Sequence, residues 1–448
     1  MKGILITNAL LVNEGKKRRV HVFIRDGLIE RIIENDSDLL KFNPSRIINA
    51  EGKLLLPGVI DDHVHFREPG LTRKADIYSE SKAAVAGGVT SFMEMPNTLP
   101  QTTTLSLLDE KFSIASKRSL ANYSFYLGAT NENIDEITGT DPGRVCGIKL
   151  FIGSSTGNML VDNPESIERI FSKSPVLIAT HCEDEKTIRD NLAIYKEKYG
   201  DNIPFRHHAD IRSENACYIS TSFAIKLARK YNSRLHILHV STAKELTLFN
   251  SSSPIRDKKI TSEACVNYLL FSLSNYENLG WRIKWNPSLK NESDRKALVD
   301  GLRNNLIDVV ATDHAPHLIE EKDAPYTKSA SGAPSVQHSL VSMIELSKKG
   351  FFPLEMVVDK MCHSPAELFR IDRRGFIKEG YYADLVLIDP DSNWTVNKTN
   401  LYYKCGWSPL EDFDFSSKVT HTFVNGRLVY ENGQFNEEVQ GKPLVFNR

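Results

Sequence analysis

No Cys-x-x-Cys pair occurs in this chain, whose six cysteines, Cys146, Cys182, Cys217, Cys265, Cys362 and Cys405, are scattered singly. That spacing argues against a disulfide framework or a thiolate zinc site and is simplest for the reduced thiols of a cytoplasmic protein. Uninterrupted apolar stretches approaching the roughly 20 residues that cross a bilayer are also missing, so neither a span nor an anchor is expected. The opening run, Met1 to Asn8, is followed by Asn13 and Glu14 with no cleavage-like site, and reads as a strand. There is no excess of either charge: 56 Lys+Arg against 57 Asp+Glu leave a formal net charge of -1. Without a basic field for nucleic acid or anionic lipid, a small-molecule partner is favoured. Lastly, no Gly-x-Gly-x-x-Gly loop follows the first apolar strand, which leaves a doubly wound dinucleotide-binding sheet with little support.

What is present is ample core material, with 41% hydrophobic and 25% charged residues over 448 positions. One large domain with a smaller appendage is the expectation. Both ends alternate apolar and polar residues in short runs. Gly3–Val12, Val20–Arg25 with an Asp26-Gly27 turn, and Leu28–Ile33 lie at one end; Ala383–Ile388 and the hairpin Val419–Val424, Asn425-Gly426, Arg427–Tyr430 lie at the other. Neither set can bury a face alone, so residues 1–52 and 373–448 are expected to form one small β-sandwich.

Between them, residues 53–372 alternate apolar strand, loop and amphipathic helix. Candidate strands are Leu54–Ile60, Val89–Met95, Tyr123–Leu127, Gly147–Phe151, Val176–Thr180, Arg234–Val240, Lys259–Glu263 and Ile307–Thr312, with helices such as Ala75–Ala86, Glu214–Lys230 and Ala297–Arg303. Eight strands so spaced predict a (β/α)8 barrel of the TIM type, and a doubly wound open sheet is the alternative.

In such a barrel, working residues sit at the carboxyl ends of the strands. His63 and His65 follow the first strand, two positions apart on extended chain, so both imidazoles can reach one ion. Lys149 lies in the fourth strand, His181 ends the fifth, His239 is near the end of the sixth and Asp313 ends the eighth. Thr242-Ala243-Lys244-Glu245 is a capping-box pattern that starts the next helix and leaves His239 at the strand mouth. Any one of these alone is more simply a hydrogen-bonded structural residue or a helix cap; together they point to a metal centre. Lys149, flanked by Ile148 and Leu150, is an ammonium in a buried strand. Burial would free its amine to form a carbamate that bridges two cations, and an ion-paired lysine is the competing reading. Two bridged metals with a shared hydroxide suit attack on an unreactive amide, with Asp313 taking the proton and passing it to the departing nitrogen. Arg67, two residues beyond His65, suits bidentate hold of an anionic substrate. His207 and His208, beside Arg206, fall outside any strand end and read as solvated or helix-flanking.

These residues resemble the amidohydrolase superfamily and, within it, the dihydroorotases. The strings that carry the likeness are "LLLPGVIDDHVHFREPG", "AAVAGGVTSFMEMPNT", "GIKLFIG", "THCED", "LHILHVST", "KWNPSLK" and "VATDHAPH", which span nearly the whole chain. The resemblance implies two zinc ions per subunit, held by His63, His65, carbamylated Lys149, His181, His239 and Asp313, with Asp313 also the proton shuttle. It implies that Arg67, Asn97 and His317 hold a substrate carboxylate and that Asn286 meets the ring. The expected reaction is reversible hydrolysis of dihydroorotate to N-carbamoyl-L-aspartate in pyrimidine synthesis by a cytoplasmic enzyme, with a homodimer as the common assembly. Hydantoinases and allantoinases share the ligands, but their rings would leave Arg67 no anion to meet. A non-catalytic scaffold, which would have lost ligands, is the reading from another class.

Two departures stand out. After the seventh strand many relatives continue with Pro-His-His, where this chain has Glu263-Ala264-Cys265-Val266-Asn267-Tyr268, and Ser335 stands where glycine is usual. Loops around Ser154–Asn158 and Leu318–Ala333 are the expected lids, with Ser155 and Thr156 closing over substrate.

Overall fold

The computed structural model describes residues 3–152, 159–438 and 441–448. The amino-terminal strands are β1 (Ile4–Asn13), β2 (Lys16–Arg25), β3 (Leu28–Ile33), β4 (Arg46–Asn49) and β5 (Leu54–Pro57). Eight more follow: β6 (Val59–Val64), β7 (Val89–Glu94), β8 (Asn122–Gly128), β9 (Gly147–Ile152), β10 (Ile178–Cys182), β11 (Leu235–Ile237), β12 (Ile260–Cys265) and β13 (Val309–Ala311). These eight pair in chain order and in parallel. A Val64–His314 bridge and the His65 amide donating to the His314 carbonyl at 2.7 Å draw the last strand toward the first, nearly closing a TIM-type barrel. β6 to β10 are buried at every position instead of alternating buried and exposed, as a helix-covered parallel sheet requires.

The carboxyl-terminal strands are β14 (Leu385–Asp389), β15 (Trp394–Thr395), β16 (Asp414–Phe415), β17 (Lys418–Val424), β18 (Arg427–Glu431) and β19 (Gln434–Phe435). Both termini merge into one mostly antiparallel nine-stranded sheet, β19-β18-β17-β14-β5-β1-β2-β3 with β4 also on β1, while β15 and β16 form a separate ribbon.

The expected strand Leu54–Ile60 is two strands. Leu54–Pro57 pairs with β1 and β14 in the terminal sheet, and the barrel begins only at Val59. Gly58 makes the crossing: a Cβ there would lie 2.0 Å from the Thr90 hydroxyl, and its amide donates to the Asp384 carbonyl at 2.8 Å. The chain end returns to the barrel floor, where Leu444 and Phe446 pack with Ile60, Tyr126 and Leu177 and Arg448 donates to the Val145 carbonyl at 3.0 Å. All six cysteines are buried and unpaired, and no helix among the described residues is long and apolar enough to cross a membrane.

Candidate active site

The mouth of the barrel opens into a pocket of about 490 Å³ lined by His63, His65, Arg67, Asn97, Lys149, His181, His239, Asn286, Asp313 and His317, which are all ten of the expected metal and substrate residues the structure describes. The expected lid residues Ser155 and Thr156 lie outside the described residues. The strand bounds shift some placements. His63 lies inside β6 and His181 inside β10, with Lys149 in mid-strand in β9, whereas His239 and Asp313 sit two residues beyond β11 and β13.

Three site residues are held in left-handed backbone, Arg67 at φ 67°, His239 at φ 40° and Asp313 at φ 47°. Non-glycine residues adopt that region at a cost, and persist there only where surrounding structure fixes them. The cap that fixes His239 is the one the sequence announces: Thr242 Oγ1 accepts from the Glu245 amide at 3.1 Å and donates to Glu245 Oε2 at 2.9 Å. Behind the turn after His65, the Phe66 amide donates to Glu94 Oε1 at 3.1 Å, and Glu94 is paired with the fully buried Lys111 at 2.6 Å.

The hydrogen bonds fix the tautomers of the histidine rings. His63 Nδ1 donates to Glu263 Oε1 at 3.0 Å, His65 Nδ1 to Asn97 Oδ1 at 2.7 Å, and His181 Nε2 to Glu183 Oε2 at 3.0 Å. Nε2 of His63 and Nε2 of His65 converge on Asp313 Oδ1, at 3.2 and 3.1 Å. On the other side, His181 Nδ1 lies 2.9 Å from His239 Nε2. Two ring nitrogens converging on a carboxylate oxygen form a donor set that a divalent cation fits, and the outer nitrogens are held as in metal-ligating histidines.

The electrostatics agree. Burial pushes His65 down to about 3 and His239 well below its usual value, so both imidazoles are neutral donors. Burial alone would raise the Asp313 carboxyl, but the His63, His65 and His239 rings hold it well below the usual carboxylate range. Burial likewise brings Lys149 down to about 8. No carboxylate among the described residues comes within ion-pair distance of the Lys149 amine, which rests 4.7 Å from the centre of the Phe151 ring. The ion-paired reading of this lysine therefore has no partner among them.

On the substrate side, Arg67 is buried, donates Nε to the Pro316 carbonyl at 3.2 Å and places Nη2 3.2 Å from His317 Nε2. Among the described residues no carboxylate pairs with it. With its oxygen engaged by His65, Asn97 offers only its amide N–H groups, whereas buried Asn286 Oδ1 has no hydrogen-bond partner among the described residues.

Several expectations need correction. His208 is buried and neither solvated nor merely helix-flanking: its ring bridges the Tyr326 hydroxyl and the Trp285 carbonyl, each at 2.7 Å. The Leu318–Ala333 loop is stitched down, with Lys322 Nζ on the Ala330 carbonyl at 2.9 Å and Lys284 Nζ on the Tyr326 carbonyl at 2.7 Å, and its Ala330–Gly332 stretch is a wall of the pocket. Ser335 turns behind the site, its amide donating to His314 Nδ1 at 3.0 Å and its hydroxyl to the Thr312 carbonyl at 3.3 Å. In the segment where the sequence departs from Pro-His-His, Val266–Leu270 is a short helix whose Tyr268 hydroxyl donates to the Pro287 carbonyl at 2.7 Å.

Sequence reasoning missed the supporting carboxylates. Glu263 orients His63 and also accepts the His239 amide at 2.8 Å, while Glu183 orients His181 and pairs with Arg212, a further pocket residue. The signal was available for Glu263, a carboxylate in a buried strand, as it was for Lys149.

A family profile described as "Amidohydrolase family" matches residues 54–429. A dihydroorotase from Methanosarcina acetivorans is 32% identical over 448 residues, covering 97% of this chain and 94% of its own. An allantoinase from Bacillus velezensis is 29% identical over 437 residues, covering 96% and 94%. Among solved structures, an L-hydantoinase (dihydropyrimidinase) from Arthrobacter aurescens superposes with a TM-score of 0.91 at 27% identity, covering 97% of this chain and 98% of that one.

Proposed function

The chain belongs to the amidohydrolase family, and from that premise we propose that it is a dihydroorotase, hydrolysing the cyclic amide of (S)-dihydroorotate reversibly to N-carbamoyl-L-aspartate in pyrimidine synthesis. The observation that carries the reading is Arg67, a guanidinium buried in the pocket with no carboxylate partner among the described residues. An isolated buried charge is costly, and a substrate carboxylate supplies the missing anion with two parallel hydrogen bonds. Rings without a carboxylate would leave Arg67 unpaired.

Two divalent cations, zinc by the mix of nitrogen and oxygen donors, would be held by His63, His65, His181, His239, Asp313 and a carbamylated Lys149; when bound they supply the Lewis acidity that activates water and polarises the amide carbonyl. The chain's residues do the rest. Arg67 and the Asn97 amide grip the carboxylate, and His317 holds the guanidinium from behind. Asn286 Oδ1 accepts a ring N–H, which turns the scissile amide toward Asp313. Kept ionised by its histidine neighbours, Asp313 takes the proton of the attacking water and delivers it to the departing ring nitrogen. The ring C–N bond breaks, the carbonyl carbon becomes a new carboxylate, and the nitrogen ends as a ureido NH2. A fully furnished ligand set argues against a non-catalytic scaffold. The same reading takes the enzyme as cytoplasmic and homodimeric.

The test is turnover by zinc-supplemented protein of L-dihydroorotate, with allantoin and hydantoin in parallel. Preferential opening of dihydroorotate is the expected result; preference for an uncharged ring would keep the hydrolase and remove the substrate assignment.

A further inference from the structure

Beneath the pocket, inside the barrel, three ionisable side chains from three strands converge: Asp62 on β6, His236 on β11 and Glu263 on β12. All three are 0% exposed. Their free ligand atoms lie within 4.8 Å of one another. Four of those atoms, Asp62 Oδ1 and Oδ2, His236 Nε2 and Glu263 Oε2, have no hydrogen-bond partner among the described residues. Asp62 Oδ2 comes within 3.2 Å of His236 Nε2 and Glu263 Oε2 within 3.8 Å of it, neither in hydrogen-bond geometry. Buried polar atoms are satisfied almost without exception, so four orphans at one point call for something between them.

From this convergence we infer a third cation site, structural and separate from the pocket, that takes a divalent ion of the zinc class on Asp62, His236 and Glu263. Metal–ligand bonds of about 2.0–2.1 Å in a tetrahedron set neighbouring donors roughly 3.4 Å apart, and the two approaches to His236 Nε2 bracket that edge. The imidazole is prepared for it: Nδ1 is 2.9 Å from the Thr261 hydroxyl, which leaves Nε2 aimed at the carboxylates. Without an ion, the two carboxylates are balanced by the His236 ring itself, which they push up to about 9; a divalent ion would take over that charge and leave the imidazole a neutral ligand. Glu263 is divided between two tasks. Its Oε1 accepts from His63 Nδ1 at 3.0 Å and from the His239 amide at 2.8 Å, and its Oε2 is left for the lower site. The lower ion would thus fix the carboxylate that orients two residues of the pocket. This inference does not depend on the dihydroorotase reading, since none of its three ligands meets substrate.

The full-length protein loaded with zinc chloride should show, in a crystal diffracting at the zinc edge, an anomalous peak bounded by Asp62, His236 and Glu263, in addition to any peaks in the pocket. Because the lower site is enclosed, dipicolinate should strip the pocket quickly and leave one zinc equivalent per chain. In Asp62→Leu that retained equivalent and its peak should vanish, while pocket peaks stay. A wild-type crystal with zinc in the pocket and no peak below would overturn the inference and leave a shared proton to hold the three groups. A retained equivalent unchanged in folded Asp62→Leu would overturn it too. Peaks in the pocket, or their lack, report on the proposed function alone, so the two readings fail separately. If Asp62→Leu does not fold, the wild-type anomalous map decides.

Discussion

Replacing Arg67 by methionine removes the charge while keeping a stem of similar length in the pocket. In the free protein this guanidinium gains only the Pro316 carbonyl, at 3.2 Å, and the His317 ring, while burial presses it down to about 10. Its removal should therefore move the melting temperature little. With a substrate carboxylate in place, two charge-assisted hydrogen bonds are lost, each worth about 1.5–3 kcal/mol. Their sum, about 3–6 kcal/mol, corresponds at about 1.4 kcal/mol per tenfold to a fall of roughly 10²–10⁴ in kcat/KM. The assay compares L-dihydroorotate with dihydrouracil, the same ring without the carboxylate, in wild type and variant. The fall should fall on dihydroorotate alone, and zinc content should hold. An equal loss on both substrates would show that Arg67 acts through the fold of the site, and no loss on either would refute the clamp outright.

Lys149 offers a pH test: burial lowers it to about 8, so the neutral amine that takes up carbon dioxide grows as pH rises. Reactivation of metal- and CO2-depleted protein by bicarbonate and zinc should quicken up to about pH 8 and level off above it; a rate independent of pH would remove the carbamate. Glu183→Ala deletes the acceptor of His181 Nε2, and zinc affinity by competition with a chelator should weaken about 10–100-fold; unchanged affinity would mean that the ring is held by other contacts. Glu94→Ala strands the Lys111 ammonium at 0% exposure, which should lower unfolding free energy in urea by about 3–5 kcal/mol; a loss under about 1 kcal/mol would mean that its other contacts, the Met95 carbonyl at 3.1 Å and the Phe125 ring at 5.0 Å, suffice.

The barrel was legible because parallel strands buried on both faces leave short, largely apolar segments alternating with amphipathic helices, and these recur at eight places. The same property hid the seam between the two sheets. Leu54 to Ile60 is apolar whether it lies in the terminal sheet or the barrel, and only the contact of Gly58 with Thr90 tells where the change occurs. His208 was misread for a related reason: its partners, the Tyr326 hydroxyl and the Trp285 carbonyl, lie 118 and 77 positions away, and no local pattern announces a bond of that range. The Lys284 anchor on the Leu318–Ala333 loop, 42 positions from Tyr326, is likewise without a local signal.

The pocket residues could be named because each must present a particular atom at a strand mouth, and spacing alone limits which side chains can do so. Their supports are less constrained by position, since a carboxylate can reach a ring nitrogen from just past the end of the same strand, as Glu183 does for His181, or from another strand of the barrel, as Glu263 does for His63. What unites them is cost. Glu183, Glu263 and Glu94 are each 0% exposed, a placement that folding tolerates only where every charge finds a donor. Here the donors are the outer nitrogens of two ligand rings, the backbone amides of His239 and Phe66, and two cations, Arg212 and Lys111. Glu263 and Glu183, with Asn97 for His65, thus orient the rings before any ion arrives, so binding a cation requires no reorientation of His63, His65 or His181. A charged residue inside an apolar strand is therefore a sign of a nearby site even when it is not part of the reacting set, and Asp62, adjacent to His63 in the sequence and aimed the other way in the barrel, is the case where following that sign leads below the pocket.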